Sequence, residues 1–200
     1  GHTPFGHTGE QVLNNLCTGG FVHSEQSVRV CEVLEKDGAG LNLTQEVRDG
    51  IRNHRTSGHP STLEGQAVRL SDKIAYLNHD IDDAIRAGLI TEEDLPMEFR
   101  KVLGMNVHDR LGTLINDVID NSIDSDVLVM SKEIETNMTE LRSWMFKHLY
   151  MGGKAKEEES KAKQLIELLF NYYMKHPEDL TSEYKRLIAE GNSMERTVCD

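Results

Sequence analysis

Ser61-Thr-Leu-Glu-Gly-Gln-Ala-Val-Arg-Leu-Ser-Asp72-Lys73-Ile-Ala-Tyr76-Leu-Asn-His-Asp80-Ile-Asp-Asp83-Ala-Ile-Arg-Ala-Gly88 is the stretch on which the fold turns. Pro60 and the capping pattern Ser61-x-x-Glu64 write the start of a helix, and Gly88 writes its end. Leu63, Ala67, Leu70, Ile74, Leu77, Ile81 and Ala84 recur at alternating spacings of four and three, which places them on one narrow face of a helix turning about 100° per residue. That face is the one expected to be buried. Asp72, Lys73, Tyr76, Asp80 and Asp83 fall within a second arc of about 100°, away from the apolar seam. Such an arc is either an ordinary solvated face, where Asp and Lys at i, i+4 are common, or a set of polar groups presented to one space.

The fifteen residues Leu70-Ser-Asp72-Lys73-Ile-Ala-Tyr76-Leu-Asn-His-Asp80-Ile-Asp-Asp-Ala84 resemble the last metal-ligand helix of the deoxynucleoside triphosphate triphosphohydrolases, the dGTPase branch of the HD-domain phosphohydrolases. The resemblance implies an all-α fold, an HD-domain helical bundle with additional C-terminal helices. It also implies hydrolysis of a dNTP to a deoxynucleoside and intact triphosphate. Asp72 would be a ligand of a divalent metal, Mg, Mn or similar. Such an ion lowers the pKa of bound water toward about 7 and makes hydroxide available for attack at the α-phosphorus. Lys73 would neutralise phosphate charge, and Tyr76 and Asp80 fall where the family contacts the deoxyribose. One and two turns beyond Asp72, these two residues are displaced by about 6 Å and 12 Å along the helix axis.

Upstream, Gly1-His2-Thr-Pro-Phe-Gly-His7 is a loop punctuated by Gly and Pro. Two histidines five apart in such a loop are compatible with metal ligation, phosphate contact or plain exposure. The segment resembles the family's stretch directly after its His-Asp metal doublet, which implies that His2 and His7 approach the triphosphate and are not metal ligands. By the same comparison the family's other metal ligands, an upstream His and the His-Asp doublet, are expected before residue 1. His79-Asp80 and His108-Asp109 are also His-Asp doublets, but both sit within helical periodicity and lack the Gly-His-x-Pro-Phe sequel. Phe21-Val-His23-Ser-Glu25-Gln-Ser27 resembles the family's His-x-x-Gln segment, which implies His23 as general acid or base beside the scissile phosphate. An unperturbed pKa of about 6.5 suits that task. Glu25 is the acid nominated to orient it.

Composition sets the outer limits. Two hundred residues, 38% hydrophobic and 28% charged, suit one domain, or one large domain with an appendage, with a sizeable core. No apolar run reaches bilayer length and no charged-then-apolar leader is visible, so the default expectation is a cytoplasmic protein with no membrane partner. With 34 acidic against 22 basic side chains the net charge is −12, the wrong sign for a broad nucleic-acid surface. A polyanionic ligand therefore needs a local set of cations. Cys17, Cys31 and Cys199 are an odd number without a C-x-x-C pair, and reduced thiols are expected.

The rest of the chain is helical by pattern, with no strand signal and no internal repeat. Helices are expected near Thr8 to Leu16, from Ser24 as a cap to Lys36, and from Leu41 to His54 with Thr44 as a cap. Thr91 to Asp94 reads as a short turn stopped by Pro96. Leu111, Leu114, Val118 and Ile119 form one apolar set; Ile134, Met138, Leu141, Met145 and Leu149 form another, ended by Gly152-Gly153. The following Gly-Lys lacks the rest of a phosphate loop. Lys154 to Met174 carries so many large apolar residues from Leu165 to Tyr173 that packing between subunits or domains is expected, and with it a homo-oligomer. Ser182 to Gly191 reads as one more helix, and Ser193 to Asp200 resembles the entry to the family's final conserved helix.

The expected organisation is a partial HD catalytic domain over residues 1–133, lacking its upstream metal-ligand segment, with a C-terminal helical region over 134–200 packed on it as part of the same domain. The 200-residue chain by itself is expected to be inactive. A regulatory nucleotide is left open beside the dNTP substrate. Two rivals stand against the enzyme: a non-catalytic nucleotide-sensing or assembly subunit on the same scaffold, and another HD phosphohydrolase, for instance one acting on nucleoside monophosphates. The pairing of His2 and His7 with Lys73 argues against the second, since one phosphate does not need so many cations.

Overall fold

The computed structural model describes residues 1–149 and 153–200, with side chains from residue 157 onward in the second stretch. The expected stop at Gly152 lies outside the described residues. In chain order the helices are α1 (Gly6–Leu16), α2 (His23–Arg29), α3 (Gln45–Arg52), α4 (Leu63–Arg86), α5 (Met97–Leu103), α6 (Val107–Ser122), α7 (Lys132–Leu149), α8 (Gly153–Lys175), α9 (Ser182–Ala189) and α10 (Met194–Cys199). No strand occurs among the described residues, so the chain is all-α as expected. The chain divides into two compact units, Gly1–Arg52 with Lys154–Asp200, and Asn53–Gly153.

In the Asn53–Gly153 unit, α4 is the central element. Its cap is Thr62, one residue later than the Ser61-x-x-Glu64 pattern suggests: Thr62 sits in extended backbone and its hydroxyl accepts from Gly65 N–H at 3.1 Å. At the other end Gly88 adopts φ +67°, and the N–H groups of Gly88 and Leu89 donate to the carbonyls of Ile85 and Ala84, both at 3.0 Å. This left-handed closure is what a glycine permits without a Cβ penalty.

Ile74, Leu77, Ile81 and Ala84 pack with Leu95, Phe99, Leu103 and Leu114, and with Ile134, Met138, Leu141 and Met145 of α7. Each large aliphatic side chain so buried stabilises by about 1.5–3 kcal/mol. Leu63 and Ala67, expected on the same seam, are exposed, because the first two turns of α4 precede the part that this cluster covers. Ile119, grouped from sequence with Leu111, Leu114 and Val118, is likewise 53% exposed; five residues after the buried Leu114, it lies about 140° away round α6. Behind the apolar seam lies a buried polar brace. Arg110, 1% exposed, donates from Nε to Asn78 Oδ1 at 2.9 Å and from Nη1 to Glu92 Oε1 at 2.7 Å. Glu92 belongs to a 3₁₀ turn, Glu92–Asp94, capped reciprocally by Thr91 and Asp94.

In the other unit Val12, Leu13, Cys17 and Phe21 pack with Ile166 and Phe170 of α8 and with Cys199. Of the crowded apolar set on α8, these two members are therefore internal to the unit, while Leu165, Leu168, Leu169 and Tyr172 are exposed. Cys17 and Cys199 are joined as a disulfide, which corrects the expectation of three reduced thiols; only Cys31 is free. A pair separated by 182 residues leaves no spacing signature, since packing of α1 and α10 on one core is what brings it together. Ser24 is not a cap. It lies inside α2, 2% exposed, and α2 runs on into a π-helical turn, Val30–Leu34. Thr44 does serve α3, accepting from Val47 N–H at 3.4 Å.

Candidate functional site

The second arc of α4 remains a polar stripe in the folded unit, and α7 supplies groups to it. Lys73 Nζ donates to Glu135 Oε1 at 3.0 Å, and the lysine side chain is only 14% exposed against 56% for its partner. The Arg142 guanidinium lies over the Tyr76 ring, 5.5 Å from its centroid. Burial pushes the Tyr76 phenol above its ordinary value, the negative charges of Asp80 and Asp72 push it the same way, and Arg142 opposes them. The phenol therefore stays protonated across neutral pH and can donate a hydrogen bond. Asp72 and Asp80 are thus each close enough to act on Tyr76 electrostatically. Asp72 is exposed and Asp80 half-buried. Asp83, in the same arc, is turned to solvent and pairs with Arg86 at 3.7 Å.

Glu135 and Arg142 were not legible as site residues. Each directly follows an apolar member of the α7 seam, Ile134 and Leu141, and a spacing of seven returns both to one side of the helix. That pairing was the available signal.

In the Gly1–Arg52 part of the other unit, a second cluster forms around His23. Glu10 Oε1 accepts from the His23 backbone N–H at 2.8 Å and lies 2.9 Å from its Nδ1. Burial alone would raise the Glu10 pKa, but the hydrogen bonds from His23 outweigh it, helped by the charges of His23 and His7, and hold the carboxyl below its ordinary value. Glu10 is therefore the acid placed against His23. Glu25, nominated from sequence, instead pairs with Arg52 at 3.0 Å, both half exposed. Glu10 does double service, since α2 has no side-chain cap of its own at Val22 and the glutamate accepts its first N–H.

His2 lies in the loop before α1 and His7 in the first turn of that helix, and the junction between them is fixed by its backbone. Phe5 and Gly6 both adopt positive φ, 57° and 56°, and Thr3 Oγ1 donates to the Gly6 carbonyl at 2.6 Å. A left-handed phenylalanine is unusual and is sustained here by the surrounding turn. Gly1 lies against Ser27 Oγ and the His23 carbonyl, so close that a Cβ would collide with both. His2 follows directly and is exposed, whereas His7 reaches the Glu10 carboxyl electrostatically.

Among the described residues no group of three or more His, Cys, Asp or Glu side chains is arranged to hold a metal ion. Asp72 contributes a single exposed carboxylate. Divalent ions of the Mg or Ca type need about six or more oxygen ligands, so these residues do not by themselves fit a catalytic metal.

Residues 128–200 match the family described as a Phosphohydrolase-associated domain. A "Deoxyguanosinetriphosphate triphosphohydrolase-like protein" of Caldanaerobacter subterraneus subsp. tengcongensis is 54% identical over 200 residues, covering 100% of this chain and 59% of the relative. This chain belongs to the deoxyguanosinetriphosphate triphosphohydrolase-like family. Identically named proteins of Clostridium tetani and Clostridium perfringens strain 13 are 46% and 44% identical over 201 and 209 residues. They cover 95% and 100% of this chain, which spans 58% and 61% of their own lengths. The chain is thus about six tenths as long as the triphosphohydrolase-like relatives it matches. The family-matched segment 128–200 contains Glu135 and Arg142, the two α7 residues that meet the α4 stripe. No helix among the described residues is long and apolar enough to cross a membrane.

Proposed function

We propose that the protein of which this chain forms part hydrolyses a deoxynucleoside triphosphate, with dGTP the first candidate, to the deoxynucleoside and intact triphosphate. The observation that carries the reading is the α4 stripe: a carboxylate, an ammonium, a phenol and a second carboxylate in register along one helix face, with Arg142 over the phenol ring. The relatives' names support it. On this reading Asp72 is one ligand of a divalent ion whose remaining ligands are not among these residues, and Lys73 faces the phosphates. Glu135 holds the Lys73 ammonium in place while lowering its net charge. Tyr76 lies against the sugar at C2′ and Asp80 accepts from the 3′-hydroxyl.

His23 is the proton-transfer group. A proton on Nδ1 directed at Glu10 leaves Nε2 as the nitrogen that gives or takes a proton, and the carboxylate stabilises the imidazolium that forms. Glu10 rather than Glu25 is the orienting acid in this proposal. His2 and His7 are assigned to the triphosphate.

The deciding assay incubates the full-length protein with dGTP and Mn²⁺ or Mg²⁺ and identifies the products by phosphorus NMR. Deoxyguanosine with inorganic triphosphate is expected; dGMP with diphosphate would overturn the reading, and no turnover of any dNTP would favour a nucleotide-sensing subunit. The 200-residue segment alone is expected to be inactive in the same assay.

A further inference from the structure

The arc on α4 has one more member than the residues assigned so far. With Leu70 at the centre of the buried face and about 100° per residue, Asp72, Lys73, Tyr76 and Asp80 lie about 60° to 160° to one side. Arg69 lies at about 100° on that side, in the middle of the arc. It stands three residues before Asp72, about 4.5 Å along the axis, and on the side away from Tyr76 and Asp80.

Arg69 is half-buried. Its Nη1 donates to the Thr56 carbonyl at 3.1 Å, which anchors the guanidinium, but its Nε is buried and has no acceptor. A buried N–H left unpaired is costly, more so on a charged group, and the cost is relieved by an acceptor arriving from outside. Next to it opens a cavity of about 230 Å³ lined by His59, Pro60, Gln66, Arg69, Val127 and Leu128. Gln66 Oε1 accepts from Leu128 N–H at 2.9 Å, which fixes the Val127–Leu128 wall against α4. In a chain of net charge −12, this lining includes no carboxylate, only a guanidinium, an imidazole, an amide and apolar walls. The volume is below the roughly 300–1,000 Å³ of pockets that enclose a whole drug-sized ligand. It suits a phosphate group.

We propose that this cavity is a subsite for the outer phosphates of the nucleoside triphosphate, with Arg69 as their principal partner and His59 at the rim. The proposal rests on the hydrolytic reading above: with the α-phosphate at Asp72 and the sugar running toward Tyr76 and Asp80, the polyphosphate tail leaves in the other direction along α4, toward Arg69. It also gives the triphosphate product a cationic contact separate from Lys73, whose charge Glu135 already engages.

The test uses the full-length protein and inorganic tripolyphosphate as the probe. By titration calorimetry, Arg69→Gln is expected to weaken tripolyphosphate binding about tenfold or more, the effect of losing a charge-assisted hydrogen bond. Deoxyguanosine binding should be unchanged. Tripolyphosphate should compete with dGTP, and its inhibition constant should rise in the variant in step with the calorimetric value. Because Arg69 also anchors the Thr56 loop, His59→Glu is the second variant: it puts negative charge at an exposed rim position and should weaken tripolyphosphate binding without lowering Tm. Unchanged tripolyphosphate affinity in a folded Arg69→Gln protein, or inhibition that does not compete with dGTP, overturns the proposal. Orthophosphate binding as tightly as tripolyphosphate, without competing with dGTP, does the same by marking a free-phosphate site. If the protein binds tripolyphosphate through Arg69 but turns over no dNTP, the hydrolytic reading fails while the anion site stands. If it hydrolyses dGTP with constants that ignore Arg69, the subsite fails and the hydrolytic reading stands.

Discussion

Replacing Glu10 by Gln separates the two acids that could serve His23. Gln keeps a side-chain oxygen able to accept the His23 backbone N–H, now at 2.8 Å, so the start of α2 stays capped. What is lost is the negative charge 2.9 Å from Nδ1 that fixes the tautomer and stabilises the imidazolium. A hydrogen bond to a charged group is worth about 1.5–3 kcal/mol. At about 1.36 kcal/mol per decade of rate, that is a loss of about 10- to 150-fold in kcat. Side-chain exposure is 29% for His23 and 21% for Glu10, so solvent screens the pair and the lower half of that range is expected. Glu25→Gln removes only an exposed ion pair with Arg52, and such pairs contribute about 0–1 kcal/mol to stability. Its kcat should change less than about twofold. The assay is steady-state dGTP hydrolysis by full-length protein, with melting curves of each variant as the folding control. Equal losses in the two variants, or a larger loss for Glu25→Gln, would falsify the placement of Glu10 as the orienting acid.

The same pair makes a pH prediction. Because the folded-state pKa of Glu10 lies below its ordinary value of 4.5, the carboxylate's stabilisation is present above that value and fades as pH falls through the lower folded-state one. The Tm gap between wild type and Glu10→Gln should therefore narrow on titration from pH 6 toward pH 3, and a gap that widens there contradicts the sign. Tyr76→Ala should narrow the preference for dNTP over NTP, which an apolar wall sets at about a hundredfold, more than it lowers the dNTP rate; Asp80→Asn should weaken both sugars alike. A kcat/KM ratio that ignores Tyr76 removes it from the sugar site. Arg110→Ala should cost about 3–5 kcal/mol in urea unfolding, because it strands Asn78 and Glu92 in a buried brace. A loss under 1 kcal/mol would show that water replaces the guanidinium there. The exposed Leu165, Leu168, Leu169 and Tyr172 on α8 predict a symmetric oligomer at micromolar concentration by sedimentation, and a clean monomer refutes it.

How much of this was readable from sequence depended on whether the cause was local. The seam Leu70, Ile74, Leu77, Ile81 and Ala84 was legible because helical period alone sets it, and each of the five is buried. Leu63 and Ala67 obey the same period and are exposed, since period cannot say where the neighbours of a helix end. Ser61 and Thr62 both carry a capping hydroxyl; choosing between them needs the folded backbone, in which Thr62 is extended and its hydroxyl accepts from Gly65 N–H. The pairing of Cys17 with Cys199, like that of Lys73 with Glu135, joins helices far apart in sequence and left no mark on spacing.

The choice of acid beside His23 is the sharpest case, because a local argument would have corrected a local guess. Glu25 follows His23 by two residues, and two residues on a helix are about 200° apart, so the two side chains cannot face one another once both lie in α2. A histidine ahead of a helix capped at Ser24 would be free of that constraint, but His23 is itself the first residue of α2. Placing it as the first residue of α2 sends Glu25 toward Arg52 and leaves the His23 ring to an acid from another element. That element is α1, where His7-x-x-Glu10 sets a histidine and a carboxylate one turn apart on one face. His2, His7 and the acid that holds His23 thus lie on one continuous piece of chain, Gly1 to Glu10. On the proposed assignment of His2, His7 and His23, a change in the left-handed turn at Phe5–Gly6 is expected to disturb phosphate contact and proton transfer together.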